Sequence, residues 1–205
     1  MRALLAPATG GRQRSPPPGA LRPLREQRRG TGGGAAVVLS LARAAPWLAV
    51  AAAVLLLDQL LKAWALAALP EGQRVPVLPG LNWRLAYNTG AAFSLLAGAG
   101  GWQQWLFGGL ALGVSVLLTV LLLAGRAGGV AERLAFALII GGAIGNLIDR
   151  LRHGAVVDFV ELYWRDFHWP AFNLADAALS VAAVLLLGAL IAGGRRARRG
   201  GAPRG

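Results

Sequence analysis

Two aspartates stand where acid–base chemistry would need them. Asp158 lies in the apolar run Val156-Val157-Asp158-Phe159, and Asp176 in Phe172-Asn173-Leu174-Ala175-Asp176. The first follows one long apolar segment and the second opens the next, so opposite chain directions bring them to the same depth. Two carboxylates in a low-dielectric setting repel, and they can share one proton. One then takes a proton from water while the other polarises a carbonyl, the arrangement of aspartic proteases. The plainer alternative is that Asp176 caps a helix and Asp158 is a solvated loop residue.

Two further polar clusters sit in apolar surroundings. An ionisable group inside a membrane helix costs roughly 2.5–3.5 kcal/mol on insertion scales, so each needs a reason. Asp58 and Lys62, in Leu57-Asp58-Gln59-Leu60-Leu61-Lys62, are four apart and share a helix face. They read either as a self-neutralising ion pair or as part of a site. Asn146 and Arg150, in Gly141-Gly142-Ala143-Ile144-Gly145-Asn146-Leu147-Ile148-Asp149-Arg150, share a face in the same way. Their glycines admit a neighbouring helix or a substrate backbone closely. Arg150 has donors to offer a peptide carbonyl. Asp149 points to another face and braces Arg150 or a helix end.

Four apolar segments position these residues. They run from about Pro46 to Leu69, Trp102 to Ala124, Val130 to Ile148 and Phe172 to Ala192. Each is close to the ~20 residues that cross a bilayer, where a helix satisfies its own backbone. Both tails and the loop from Gly125 to Arg133 are Arg-rich, whereas the other two connections mix charges. The positive-inside rule therefore places both termini in the cytoplasm and the mixed connections outside. Trp102, Trp105, Trp164 and Trp169 fall at the outward interface, where amphipathic rings are favoured. From Leu81 to Tyr87 apolar and polar residues alternate, which predicts a half-buried strand in a small outer sheet.

Composition agrees. The chain of 205 residues is 56% hydrophobic and 15% charged, too apolar for an ordinary soluble domain. The net charge of +12 sits largely in membrane-flanking tails, which argues topology rather than nucleic-acid binding. Without cysteine there is no disulfide, thiolate metal site or cysteine nucleophile; two histidines exclude a His-Glu-x-x-His zinc helix. No Gly-x-Ser-x-Gly or Walker-type sequence occurs. Residues 1–45 are rich in Arg, Pro and Gly and read as a disordered tail, in which the stretch from Ala35 to Ala42 is too short to span. Residues 46–192 form the membrane domain and 193–205 a basic tail.

The order of motifs resembles lipoprotein signal peptidase, the signal peptidase II family. It is carried by Asp58-x-x-x-Lys62, Asn88-Thr89-Gly90-Ala91-Ala92-Phe93-Ser94, Gly145-Asn146-Leu147-Ile148-Asp149-Arg150, Val157-Asp158-Phe159 and Phe172-Asn173-Leu174-Ala175-Asp176. The resemblance implies a mainly α membrane protein: four transmembrane helices, an extracytoplasmic β-cradle, and a short outer helix within Glu161 to Trp169. It implies a bacterial cytoplasmic-membrane enzyme whose active site faces outward. The substrate would be a prolipoprotein carrying a diacylglyceryl group on its cysteine, cut just before that residue. Asp158 and Asp176 match the catalytic pair. Asn88, Asn146, Arg150 and Asn173 match residues that line the site and hold substrate, and Asp58 and Lys62 match a supporting pair. No cofactor or metal is implied, the bilayer is a partner, and inhibition by globomycin-type peptides is expected. Closure of the segment after Asn88 over the site, hinged at Gly90 and the stretch 98–101, is a further expectation. Two alternatives compete. A prepilin-type or presenilin-like protease would carry Gly-x-Gly-Asp, which this chain lacks. A transporter or channel subunit would spread ionisable groups through the bilayer depth.

Overall fold

The computed structural model describes residues 32–90 and 102–200. The chain divides into two units, Met1–Val37 and Val38–Gly205, and the sheet and candidate site belong to the second. There are four helices, α1 (Gly32–Ala68), α2 (Trp102–Leu123), α3 (Val130–His153) and α4 (Leu174–Gly200), with one pair of strands between α1 and α2 and another between α3 and α4. The strands are β1 (Val75–Leu78), β2 (Leu81–Asn88), β3 (Val156–Trp164) and β4 (Phe167–His168). The expectations for residues 1–31, 91–101 and 201–205, including the closing segment, lie outside the described residues.

Every helix is long and apolar enough to cross a membrane, over Ser40–Ala68, Gln104–Leu123, Val130–His153 and Leu174–Gly193. Half of the α3 window is buried inside the molecule, against 17% in each of the others, which makes α3 the central helix. Glycine makes that centrality possible. A Cβ at Gly141 would lie 2.5 Å from the Ala51 carbonyl oxygen on α1, and one at Gly142 would lie 2.8 Å from that of Ala175 on α4. The glycines thus admit neighbouring helices, one of the two readings their sequence left open.

Three boundaries differ clearly from the sequence reading, and one is the end of α3, which runs past Ile148 to His153. Helix α1 starts at Gly32, ahead of Pro46, which it carries inside. The Ala/Val/Leu-rich residues before Pro46 favour helix, so the stretch from Ala35 to Ala42 is part of α1. Helix α4 runs to Gly200, past Ala192. Helix α3 ends cleanly: Gly154 takes the left-handed conformation (φ 71°) and its N–H donates to the Arg150 carbonyl at 3.0 Å.

The strands form one antiparallel sheet in the order β1-β2-β3-β4. Strand β2 occupies the expected alternating segment and pairs Ala86 with Asp158 and Asn88 with Val156 of β3. The outer helix expected within Glu161 to Trp169 is corrected: those residues finish β3, turn at Arg165 (φ 55°) and form β4. The β-branched and aromatic run Val156–Trp164 suits a pleated surface better than a helix.

One carboxylate ties this sheet together. Glu161 is 0% exposed and accepts hydrogen bonds from Arg74 Nε (2.7 Å), Asn82 Nδ2 (3.1 Å) and Arg84 Nη1 (2.9 Å). His168 Nδ1 lies 3.2 Å away on β4. Burial alone would raise its pKa, but these partners outweigh that and hold it at about 2. Trp64 of α1 meets Trp83 edge-on at 5.4 Å and Phe159 at 6.4 Å, which seats the sheet on the helices.

Candidate active site

The site is built around the start of α4. The first N–H groups of a helix lack internal partners. Here Asn173 Oδ1 accepts from Asp176 N (2.9 Å), and Asp176 Oδ2 accepts from Asn173 N (3.3 Å). This is a reciprocal capping box. Ala175 N between them donates to Asp58 Oδ1 on α1 at 2.9 Å. Asp176 therefore does cap the helix, but its other oxygen is engaged elsewhere: Oδ1 accepts from Asn146 Nδ2 of α3 at 2.9 Å.

Asp158 reaches the same point from β3. It is 2% exposed, not a solvated loop residue, and Asn173 Nδ2 donates to its Oδ1 at 2.7 Å. Asn173 Nδ2 also lies 3.1 Å from Asn146 Oδ1. The two carboxylates are thus joined through two asparagine side chains. Lys62 fixes the orientation of these amides. Its ammonium only donates, and it bonds Asn146 Oδ1 at 2.9 Å, so Asn146 Nδ2 must face Asp176. Asp176 N likewise forces Asn173 Oδ1 toward itself and Nδ2 toward Asp158.

Lys62 holds more than the expected i, i+4 partner. It pairs with Asp58 Oδ2 at 2.8 Å and with Asp149 Oδ2 at 2.7 Å, all three side chains being buried. Gly145 makes room, since a Cβ there would stand 2.5 Å from Asp58 Oδ2. Gln59 Nε2 donates to Asp149 Oδ1 at 3.1 Å and to the Gly145 carbonyl at 3.3 Å.

The aspartates differ in surroundings. Burial first, and the Asp176 charge second, push the Asp158 carboxyl up to about 7, against hydrogen bonds from Asn88 and Asn173 and the Lys62 charge. Arg150 lies alongside. Its Nη1 donates to the Asn146 carbonyl at 3.2 Å and its guanidinium sits 5.6 Å from the Phe107 ring centroid. Its Nε has no hydrogen-bond partner among the described residues. Arg150 borders a cleft of about 480 Å³ between α2 and α3, walled by Trp105, Gly108, Leu112, Leu147 and Leu151.

All eight residues singled out in the sequence thus fall in or beside one network. Asn88 is the outermost: it bonds Asp158 and accepts from Gly90 N at 2.9 Å. Asn146 and Asn173 each donate a hydrogen bond to one of the aspartates. Sequence reasoning gave no role to Gln59 or Glu161, and to Asp149 only that of bracing its own helix. The usable signal was a carboxamide beside an intramembrane aspartate, and a glutamate inside a β-branched run. Among the described residues no group of His, Cys, Asp and Glu could hold a metal ion.

Residues 50–192 match the family model described as Signal peptidase (SPase) II. The chain belongs to the signal peptidase II family. The "Lipoprotein signal peptidase" of Shewanella amazonensis is 52% identical over 141 residues, 69% of this chain and 84% of that one. That of Xanthomonas campestris pv. campestris (strain 8004) is 49% identical over 156 residues, 76% and 93% of the two chains. A solved structure titled as a bacterial membrane enzyme superposes with a TM-score of 0.63 at 28% identity, covering 72% of this chain and 88% of its own. A second so titled gives 0.62, also at 28% identity, over 71% and 92%. As a signal peptidase II family member the chain is a peptidase, and its four long apolar helices make it a multi-pass membrane protein.

Proposed function

We propose that this peptidase is an aspartyl endopeptidase that removes signal peptides from diacylglyceryl-modified prolipoproteins, cutting just before the lipidated cysteine. The observation that carries the reading is the pair Asp158 and Asp176, joined through Asn173 and Asn146 where the sheet meets the helices. Both Asp176 oxygens accept N–H hydrogen bonds, and one donor, Asn146, is itself bonded to the Lys62 ammonium. Accepting on both oxygens is the bonding pattern of an ionised carboxylate, the form a base must start from. Asp158, raised toward neutrality by burial, suits the protonated form. Asp176 then takes a proton from water as the water oxygen attacks the scissile carbonyl carbon. Asp158 donates a hydrogen bond to the carbonyl oxygen as charge develops there. Collapse of the tetrahedral adduct breaks the C–N bond, and the departing amine takes up a proton from the pair.

Arg150, whose Nε has no partner among the described residues and which borders an apolar cleft, is assigned to a substrate carbonyl, with the cleft taking apolar parts of the substrate. Asn88 is assigned to the edge of the substrate path. The enzyme sits in the bacterial cytoplasmic membrane with both termini inside and the dyad at the extracytoplasmic face. Globomycin-type peptides are expected to compete for the site.

A cleavage assay in detergent tests this. Wild type is expected to cut a diacylglyceryl-modified prolipoprotein and spare its unlipidated form. Asp158→Asn and Asp176→Asn are each expected to lose at least about 10³-fold in rate, as when a member of a catalytic unit is removed. Turnover surviving in either variant removes that residue from catalysis.

A further inference from the structure

Asp149 precedes Arg150 on α3, and none of its contacts described so far reaches the dyad. It is 2% exposed. Its carboxylate leaves α3 toward β3, where Oδ2 accepts from Val157 N at 3.1 Å. Val157 is the residue before Asp158 and is 0% exposed. In an antiparallel strand the N–H and C=O of one residue point to the same edge. The Val157 carbonyl accepts from Asn173 Nδ2 at 3.3 Å. So both main-chain groups of Val157 are held by side chains, one from α3 and one from the cap of α4. Among the described residues, main-chain partners beyond β2 begin later in β3, where Phe159 N and Val160 N donate to the Phe172 carbonyl. Without Asp149 the buried Val157 N–H loses its partner here.

Charge alone does not fix where the Asp149 carboxylate stands. Lys62 pairs with Asp58 at 2.8 Å and with Asp149 at 2.7 Å, and the Arg150 guanidinium also feels the Asp149 charge. None of these cations requires Oδ2 to meet the Val157 N–H. Asp149 is also held rigidly from α1, by Lys62 on Oδ2 and by Gln59 on Oδ1 at 3.1 Å. It forms a stiff strut from two helices to one peptide of the sheet.

The geometry points to Asp149 as a positioning residue that fixes the Val157–Asp158 segment of β3 and so sets where the Asp158 carboxyl stands against Asp176. This rests on the dyad reading above. The acceptor position then matters more than the charge. An asparagine in its place keeps an acceptor for Val157 N–H and Lys62, and gives up only the bond from Gln59 Nε2, which retains the Gly145 carbonyl as its acceptor. A glutamate in its place keeps the charge but extends the side chain by one methylene, displacing the acceptor by about 1 Å. A displacement of about 1 Å in a catalytic constellation can cost on the order of 10²-fold in rate.

The test compares Asp149→Asn and Asp149→Glu with wild type and Asp158→Asn, reading thermal unfolding, kcat and KM in the lipidated-substrate assay. Asp149→Asn is expected to fold and keep kcat within about 5-fold. Asp149→Glu is expected to fold, bind substrate with KM within about 3-fold, and lose about 10-fold or more in kcat, the pattern of a lost transition-state geometry. A residue that only balances Lys62 gives the reverse order, with the glutamate variant active and the asparagine variant impaired, and that result overturns the inference. So does failure of either variant to fold, or near-wild-type kcat in both. Asp158→Asn reports separately on the dyad: turnover there sinks the dyad, whereas an inactive Asp158→Asn with the reversed order at position 149 sinks only the strut.

Discussion

Asp158 and Asp176 are the same side chain in two settings, and the roles proposed for them follow from the difference. Asp176 sits at a helix N-terminus and accepts from a main-chain N–H and an asparagine amide. Asp158 stands in a strand, 2% exposed, with its carboxyl pushed up to about 7. If Asp158 works protonated, kcat/KM for the lipidated substrate falls tenfold per pH unit above an apparent pKa of about 7, a value belonging to the coupled pair. A flat profile from about pH 6 to about pH 9 would contradict that role. The stability sign follows from the same shift. A carboxyl raised on folding contributes fully below its unfolded pKa of about 3.9, and that contribution is lost as pH rises through about 7. The aspartates were legible in the sequence because a carboxylate among valines and alanines demands a reason. Asp149 was less legible because its partners, Lys62 and Gln59, come from another helix.

Elements bring these residues together, and glycine sets the distances. Gly145 stands against Asp58, with only 2.5 Å from a built Cβ to Oδ2. Asp58 in turn holds Lys62 and caps Ala175 N on α4. Gly145→Ala is therefore expected to displace Asp58, lower the unfolding temperature by several degrees and cut the cleavage rate at least about 10-fold. Gly113→Ala on α2 is the matched control. A Cβ there meets nothing within 4 Å, and alanine favours helix by about 1 kcal/mol, so stability and turnover are expected to hold. Equal losses in the two variants would remove close packing as the cause. The helices themselves were readable from the length of their apolar runs. Strand β2 was readable from its alternation. Strand β3 was passed over because its C-terminal half was assigned to an outer helix, although Val160-Glu161-Leu162-Tyr163-Trp164 favours a strand. Glu161 was hidden for the same reason: its meaning comes from Arg74, Asn82, Arg84 and His168, which only the sheet brings together.

At the scale of the whole molecule, polar and apolar interiors separate by end. One end is closed by Ala44, Leu118, Leu122, Ala127 and Phe136, an apolar core near the α2–α3 loop. The other carries the charged network and the sheet, with Trp102, Trp105, Trp164 and Trp169 exposed at 51–75%. Exposed tryptophans at one end match an interfacial belt, and the Arg-rich loop at the opposite end matches the cytoplasmic side. This polarity predicts labelling directly, because the chain has no cysteine and any introduced thiol is unique. In intact cells, Glu71→Cys and Asp166→Cys, both exposed positions at the sheet end, are expected to react with a membrane-impermeant maleimide. Arg126→Cys in the α2–α3 loop, equally exposed, is expected to react only after permeabilisation. The charge bias alone carries the orientation, because a tryptophan belt forms at either interface and marks only the membrane boundary. Labelling of Arg126→Cys in intact cells, with Asp166→Cys silent, would therefore overturn the positive-inside reading and move the dyad to the cytoplasmic face. A substrate lipidated on the outer side would then have no access to it.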